Sequence, residues 1–309
     1  MSEISIMNPP VVSVIMPAYN HEHYIGQAIE SVLQQSFCDF EFIIVNDGST
    51  DGTERIILGY DDPRIKYVAQ KNQDAFNAIN NGISLATGEY TSILNSDDLY
   101  HPDRLARLLD EARATEARFL FTGITVIDDH SQPVVGPAHK FLEWYNGLRR
   151  LYSQSCSKEQ CFFMGNLAVS TSNFFFSVEL VQKIGNFRQF RYAHDYDFAL
   201  RALAECGNLF RFIPDSLLSY RIHGGNTITK SPAAANREVV EILVDNFPLF
   251  LQEETDRANF AALRERAILP LLERSEYLDS ILDSKSWKAT KPLRSLGDVL
   301  LKSGKMLPD

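Results

Sequence analysis

Apolar positions in the first hundred residues switch between two periods. Val11 to Met16 (VVSVIM) is a continuous apolar run that ends at Pro17, after which Ile25, Ala28, Ile29, Val32 and Leu33 recur at helical spacing within Tyr24 to Gln35. The order strand, loop, helix then repeats. Phe40 to Val45 leads through the turn-forming run Asn46-Asp47-Gly48-Ser49-Thr50-Asp51-Gly52 into a helix ending near Leu58. Ile65 to Ala69 leads to a helix marked by Ala75, Ala78, Ile79, Gly82, Ile83 and Ala86 and stopped by Gly88. A fourth strand, Tyr90 to Leu94, ends abruptly at Asn95-Ser96-Asp97-Asp98. Such alternation predicts βαβ units in an α/β fold, with a mostly parallel sheet and right-handed crossovers.

Beyond Pro102 the pattern predicts an amphipathic helix (Leu105, Leu108, Leu109, Ala112) and a strand from Phe119 to Val126. Asp128 to Cys161 reads as loop-rich, with one aromatic helical patch around Trp144. Leu167 to Phe176 reads as strand-like, Val178 to Ile184 as a helix ended by Gly185, and His194 to Cys206 as another helix. Leu209 to Ile213 and Leu217 to Ile222 read as two short strands, the second running into His223-Gly224-Gly225-Asn226. After Lys230 the sequence turns helix-forming, with Val239, Val240, Leu243 and Val244 and later Leu263, Leu269, Leu271 and Leu272. The expected division is a domain from 1 to 230 and a helical extension from 231 to 309.

Composition narrows the classes without choosing among them. The 309 residues are 45% hydrophobic and 23% charged, an ordinary globular balance, and the net charge of −10 argues against a nucleic-acid partner. Four cysteines (Cys38, Cys156, Cys161, Cys206) show neither a CxxC pair nor zinc spacing, so free thiols in a reducing compartment are expected. No run approaches the roughly 18 apolar residues of a membrane span, and the expected location is cytoplasmic, with peripheral contact at the inner face of the membrane left open.

Ligands on parallel sheets bind beyond the carboxyl ends of the strands. The segments Pro17 to Asn20, Asn46 to Asp51, Gln70 to Gln73 and Asn95 to Asp98 should therefore converge on one crevice. No GxGxxG follows the first strand, which disfavours a dinucleotide site. Adjacent carboxylates such as Asp97 and Asp98 repel one another, and a hard divalent cation, Mn²⁺ or Mg²⁺, relieves the repulsion while keeping positions for phosphate oxygens. A helix cap served by either aspartate explains the pair equally well. Capping likewise accounts for Asp195 at the start of its helix, and a surface role for His223 beside its glycines.

Taken in order, VSVIMPAYN, IIVNDGSTDGT, NGISLATGEYTSILNSDDLYHPD, IGNFRQFRYAHDYDFALRA and YRIHGG closely resemble the family 2 glycosyltransferases, whose members have the GT-A fold, a Rossmann-like sheet flanked by helices. The resemblance covers about Val11 to Asn226 and implies an inverting, metal-dependent transferase that uses a nucleotide-sugar donor, UDP-linked foremost, and a saccharide or lipid-linked hydroxyl acceptor, as in surface-polysaccharide assembly. A non-catalytic nucleotide-sugar-binding protein on the same fold is the alternative. The resemblance implies that Pro17, Ala18, Tyr19 and Asn20 lie along the nucleotide, with Asp47 on the base and Asn72, Asn95 and Asp97 also toward the donor. It implies Asp98 as the more direct metal ligand, Asp97 on ribose or metal, His223 closing over the diphosphate or metal, and Asp195 as catalytic base.

Five positions depart from that pattern. Asn46 and Asn95 stand where aspartate is common, Asp74 where glycine is, Ile79 where an arginine often reaches the nucleotide, and His194 where the base's acidic partner usually sits. The run Ser286-Trp287-Lys288-Ala289-Thr290-Lys291-Pro292-Leu293-Arg294 resembles a tail on bacterial polysaccharide-building transferases. The basic, apolar-studded stretch from there to Lys305 suits an anionic membrane surface, a dimer partner or packing on the domain.

Overall fold

The computed structural model describes residues 9–136, 139–154, 157–224 and 231–263. They fall into two compact units, one from residues up to 144 together with 168–224, the other from 145–167 together with residues after 224. The expected boundary at residue 230 closes the stretch 225–230, which lies outside the described residues, as does the whole tail from Ser286.

The first unit is built on an eight-stranded sheet. Its strands are β1 (Val12–Ala18), β2 (Phe40–Asn46), β3 (Ile65–Ala69), β4 (Tyr90–Ile93), β5 (Leu99–Tyr100), β6 (Phe119–Ile127), β7 (Phe175–Ser177) and β8 (Phe210–Arg221), in the order β3-β2-β1-β4-β7-β6-β8-β5. The pairs β1 with β2, β1 with β4, β2 with β3 and β6 with β8 are parallel, whereas β7 runs antiparallel to β4 and β6, and β5 antiparallel to β8. All seven residues of β1 and of β2 are buried, which is why the sequence shows continuous apolar runs there rather than alternation.

Helices of this unit are α1 (Ile25–Leu33), α2 (Thr53–Ile57), α3 (Ala75–Leu85), α4 (Arg104–Thr115), the start of α5 (Lys140–Ser153), α7 (Val178–Ile184) and α8 (His194–Cys206). Helix α3 lies so close to β1 that a Cβ on Gly82 would stand 2.4 Å from Cγ2 of Ile15, so only glycine fits that crossing. Helix α8 is held by stacked rings. Phe198 packs on Phe187 with ring centroids 4.1 Å apart and on Phe176 at 5.1 Å, and Phe119 stacks on Phe210 at 4.7 Å. Aromatic burial of this kind fixes the helix on the sheet and thereby sets where its amino terminus emerges.

The second unit holds the rest of α5, α6 (Lys158–Met164), α9 (Pro232–Asn246) and α10 (Glu254–Leu263). Helix α6 opens on a capping box in which Ser157 and Gln160 satisfy each other's backbone donors. Phe163 meets Phe247 and Phe250 edge-on, at 5.5 and 5.1 Å. No helix among the described residues is long and apolar enough to cross a membrane.

Several expectations need correction. The first strand does not stop at Pro17 but carries it and Ala18 in pairing with β2, and proline is tolerated there because β4 has already ended opposite Ile15. The helical patch expected around Trp144 is α5, but the rest of the stretch expected as loop-rich also holds the start of α6. Leu167 to Phe176 is mostly irregular, with a 3₁₀ turn at Thr171–Asn173 before the short β7. The two strands expected after residue 208 are one, β8, whose Pro214 sits at a register shift against β6. Gly123 accommodates that shift, since a Cβ there would lie 2.5 Å from the carbonyl oxygen of Pro214.

Candidate active site

The carboxyl end of β4 is tied down residue by residue. Backbone N–H of Asn95 donates to Ser172 Oγ (2.9 Å), its amide to Ser170 Oγ (3.1 Å), and its side-chain carbonyl accepts from Thr171 Oγ1 (3.0 Å). Asn95 therefore serves the turn itself. Asp98 is buried, and both its oxygens are engaged: Oδ1 accepts from the Arg221 N–H (2.7 Å) and Oδ2 from Ser172 Oγ (2.6 Å). The Arg221 guanidinium, also buried, donates to the carbonyls of Asp97 (2.7 Å) and Asp128 (2.8 Å), to Ser131 Oγ (3.0 Å) and to Gln27 Oε1 (3.0 Å). It also lies 4.8 Å from the ring centre of Tyr24, whose hydroxyl donates to Asp129 (3.0 Å). One cation thus joins the end of β4, the loop after β6 and α1.

Asp97 faces a different set of partners. Its Oδ2 lies 3.0 Å from Nε2 of His223, and ligand atoms of His21, Asp97 and His223 all fall within 4.8 Å of one another. Asp98 stands outside that group. His21 sits just before α1, its N–H bonded to Thr53 Oγ1 (2.9 Å) and its Nδ1 2.7 Å from Ser96 Oγ. Tyr24 packs against the His223 ring at 4.9 Å.

Electrostatics separates the two aspartates. Burial pushes Asp97 up, but the hydrogen bond from His223 and the positive potential of His21 and His223 outweigh it and hold the carboxyl below the usual range. Asp98 is pushed well above that range by burial and by the charge of Asp97, despite its bonds to Ser172 and Arg221. Two imidazoles and an ionised carboxylate are a donor set for a divalent cation, so these residues fit the metal that the resemblance implies.

The neighbouring loops complete the crevice. Pro17 and Ala18 end β1, Tyr19 is 45% exposed, and Asn20 takes a left-handed φ of 53° while its Oδ1 accepts from the Thr50 N–H (2.8 Å). The Asp47 N–H donates to the Ala18 carbonyl (2.8 Å), binding the loops after β1 and β2 together. Asp47 Oδ1 accepts from Gln70 Nε2 (2.7 Å) and the Gln73 N–H (2.9 Å), and Asn81 in turn holds Gln70 (2.7 Å). Burial leaves Asp47 above the ordinary carboxylate range. Asn72 is exposed, and its loop comes so close to Gly48 (φ 73°) that a Cβ there would lie 2.9 Å from the Asn72 nitrogen. Ile79 is fully buried in the core.

Asp195 lies in the first turn of α8, where its Oδ1 accepts from the Tyr196 N–H (2.8 Å). Tyr220, at the end of β8, is half-buried, and desolvation together with the charges of Asp98, Asp97 and Asp195 pushes its phenol up. His194 is half-buried, its Nδ1 3.2 Å from the Phe190 carbonyl, and desolvation lowers its pKa to about 4. It is neutral at pH 7. Asp197 is committed to Arg201 (2.8 Å) and Arg188 (3.3 Å).

The sequence reading did not single out His21, Arg221 or Ser172 as parts of the site. His21 directly follows the PAYN segment, Arg221 lies two residues before His223, and Ser172 was noted only as part of a strand-like stretch. No local pattern marks any of them.

A mixed sheet with this strand order, its polar loops gathered at the carboxyl ends of β1, β2 and β4, is the GT-A fold of glycosyltransferases. Residues 13–183 match the family described as Glycosyl transferase family 2, and the chain belongs to that family. It is 31% identical over 223 residues to an uncharacterised glycosyltransferase of Rickettsia typhi, covering 71% of this chain and 66%, just under two thirds, of that relative. A Bacillus subtilis protein provisionally named as the teichuronic acid biosynthesis glycosyltransferase TuaG is 39% identical over 128 residues, 40% of this chain and 51% of its own. Among solved structures, S. aureus TarS in complex with UDP-GlcNAc superposes with a TM-score of 0.59 at 19% identity, covering 81% of this chain and 70% of that one. The mannosyltransferase PcManGT of Pyrobaculum calidifontis, in complex with GDP-Man and Mn²⁺, superposes with a TM-score of 0.58 at 19% identity over 95% and 81%.

Proposed function

We propose that this chain is an inverting, metal-dependent glycosyltransferase that moves a sugar from a nucleoside-diphosphate donor, UDP-linked foremost, to a hydroxyl of a saccharide or lipid-linked acceptor in surface-polysaccharide assembly. The observation that carries the reading is the cluster at the end of β4, where ligand atoms of His21, Asp97 and His223 lie within 4.8 Å of one another. The complexes of TarS with UDP-GlcNAc and of PcManGT with GDP-Man and Mn²⁺ support donor class and metal use by likeness of fold. The name of TuaG supports the polysaccharide setting.

In this reading Asp97 and His223 hold the cation. Asp98, with Ser172 and Arg221 on its two oxygens, keeps the strand end in register rather than reaching the metal. The bound cation supplies charge that offsets the leaving diphosphate without proton transfer. Tyr19, Asn20, Asp47 and Asn72 border the nucleotide, and Asp47 is held through its Oδ1 by both Gln70 and Gln73. Asp195 accepts the proton of the attacking hydroxyl, and a single displacement inverts the anomeric carbon. His194, neutral beside it, adds no competing positive charge.

The test is donor turnover in a panel of UDP-, GDP- and TDP-sugars with Mn²⁺. Turnover that disappears with chelator and falls at least about 100-fold in Asp195→Asn, with donor binding retained, is expected. Donor binding without turnover by the wild-type protein on every acceptor tried would instead favour a non-catalytic binder.

A further inference from the structure

We propose that His21 is a third protein ligand of the cation, so that this chain holds its metal through two imidazoles and one carboxylate and can bind it before the donor arrives. The inference rests on the metal dependence proposed above and adds a residue and a selectivity to it. Its basis is placement. The ligand atoms of His21, Asp97 and His223 lie within 4.8 Å of one another, a span that one ion with bonds of roughly 2.1 Å closes by small side-chain adjustments.

Three features hold His21 for that role. Its N–H is bonded to Thr53 Oγ1, and its carbonyl accepts from the N–H groups of Tyr24 and Ile25 at the start of α1, so the backbone is fixed on both sides. Its Nδ1 meets Ser96 Oγ at 2.7 Å. Metal-ligating histidines characteristically engage a polar partner through one ring nitrogen, which orients the other toward the ion. Ser96 directly precedes Asp97, so the group that orients the imidazole rides on the same turn as the carboxylate. Finally, the His21 and His223 rings are 5.9 Å apart at 78°, and Tyr24 packs against both, at 6.0 and 4.9 Å, which leaves the two imidazoles little freedom to part.

The consequence is chemical. Mg²⁺ prefers oxygen ligands and is ordinarily held by one or two carboxylates plus substrate phosphates, so a site relying on a lone carboxylate needs the donor to complete it. Imidazole nitrogens suit first-row transition metals, of which Mn²⁺ is the first and the weakest binder, better than they suit Mg²⁺, which demands oxygen ligands and dehydrates reluctantly. Three protein ligands therefore predict Mn²⁺ binding without nucleotide and a clear preference for Mn²⁺.

Full-length protein is titrated with Mn²⁺ in the absence of nucleotide, with free Mn²⁺ read by EPR and coordinated ¹⁴N counted by electron spin echo modulation. Wild type is expected to show two coordinated imidazoles and to bind Mn²⁺ at least tenfold more tightly than Mg²⁺. His21→Gln, which can still bond Ser96, is expected to show one imidazole, at least tenfold weaker Mn²⁺ binding and a reduced Mn²⁺ preference; His21→Ala serves as the second variant, and melting temperatures check that each is folded. Two coordinated nitrogens and unchanged affinity in both variants would overturn the role of His21 while leaving metal dependence intact, provided Asp97→Asn loses the ion. No Mn²⁺ binding by wild type, with or without UDP, would overturn both.

Discussion

At the scale of single residues, the adjacent aspartates should behave differently although they look alike in the sequence. Asp97→Ala removes the carboxylate proposed to hold the cation and is expected to abolish metal-dependent donor binding with little change in melting temperature. Asp98→Ala strands the Ser172 hydroxyl and the Arg221 N–H, and is expected to cost about 1–3 kcal/mol in denaturant unfolding while lowering metal affinity less than Asp97→Ala does. Equal loss of metal binding in both, with equal stability, would contradict the division of roles. His194 makes a prediction in pH. Its folded pKa of about 4 lies below the ordinary 6.5, so the folded state binds fewer protons than the unfolded chain between those values. Its stabilising contribution is present above 6.5 and lost as pH falls toward 4, by at most about 3 kcal/mol. His194→Gln should flatten that part of the pH dependence of the melting temperature; an unchanged slope would show the imidazole is not neutral. Much of the site was visible as residue types after strands, since Asp47, Asp97 and Asp98 are carboxylates at positions where an α/β sheet gathers ligands. His21 and Arg221 were not, because a histidine on a loop and an arginine at a strand end read as surface groups until the tertiary fold brings them to Asp97.

At the scale of elements, buried strands announced themselves by unbroken apolar runs, and α1, α3 and α4 by their helical spacing. The misses share a cause: local sequence conflicts with a role imposed from elsewhere. Pro214 reads as a break, yet β8 passes through it because Gly123 on β6 lets the register shift. The two-residue β5 has no periodicity to detect and exists because β8 pairs with it. Helix α6 begins in a stretch of mixed aromatic and polar residues whose spacing is blurred, whereas α5 is the helical patch around Trp144. The contact between α3 and β1 gives a test of packing. Gly82→Ala places a methyl into Ile15 and is expected to cost about 1–3 kcal/mol, seen as a lower denaturant midpoint at unchanged slope. A neutral outcome would mean that α3 can move away from the sheet without penalty.

At the scale of the whole molecule, ligand binding and stability are linked. A nucleoside diphosphate with Mn²⁺ at about 100 times its dissociation constant adds about 2.7 kcal/mol to the folded state, and the melting temperature should rise by several degrees with UDP and Mn²⁺ together and much less with UDP and chelator. Equal shifts with and without the metal would argue that the nucleotide binds elsewhere. The strand order carries a further consequence. Arg221 closes the last strand among the described residues, yet it clasps the carbonyl of Asp97, and His223 completes a group begun by His21 two hundred residues earlier. On a ribosome making this protein, the grouping of His21, Asp97 and His223 therefore waits until the 223rd residue has emerged and β8 has paired with β6 and β5, so a half-finished copy lacks it.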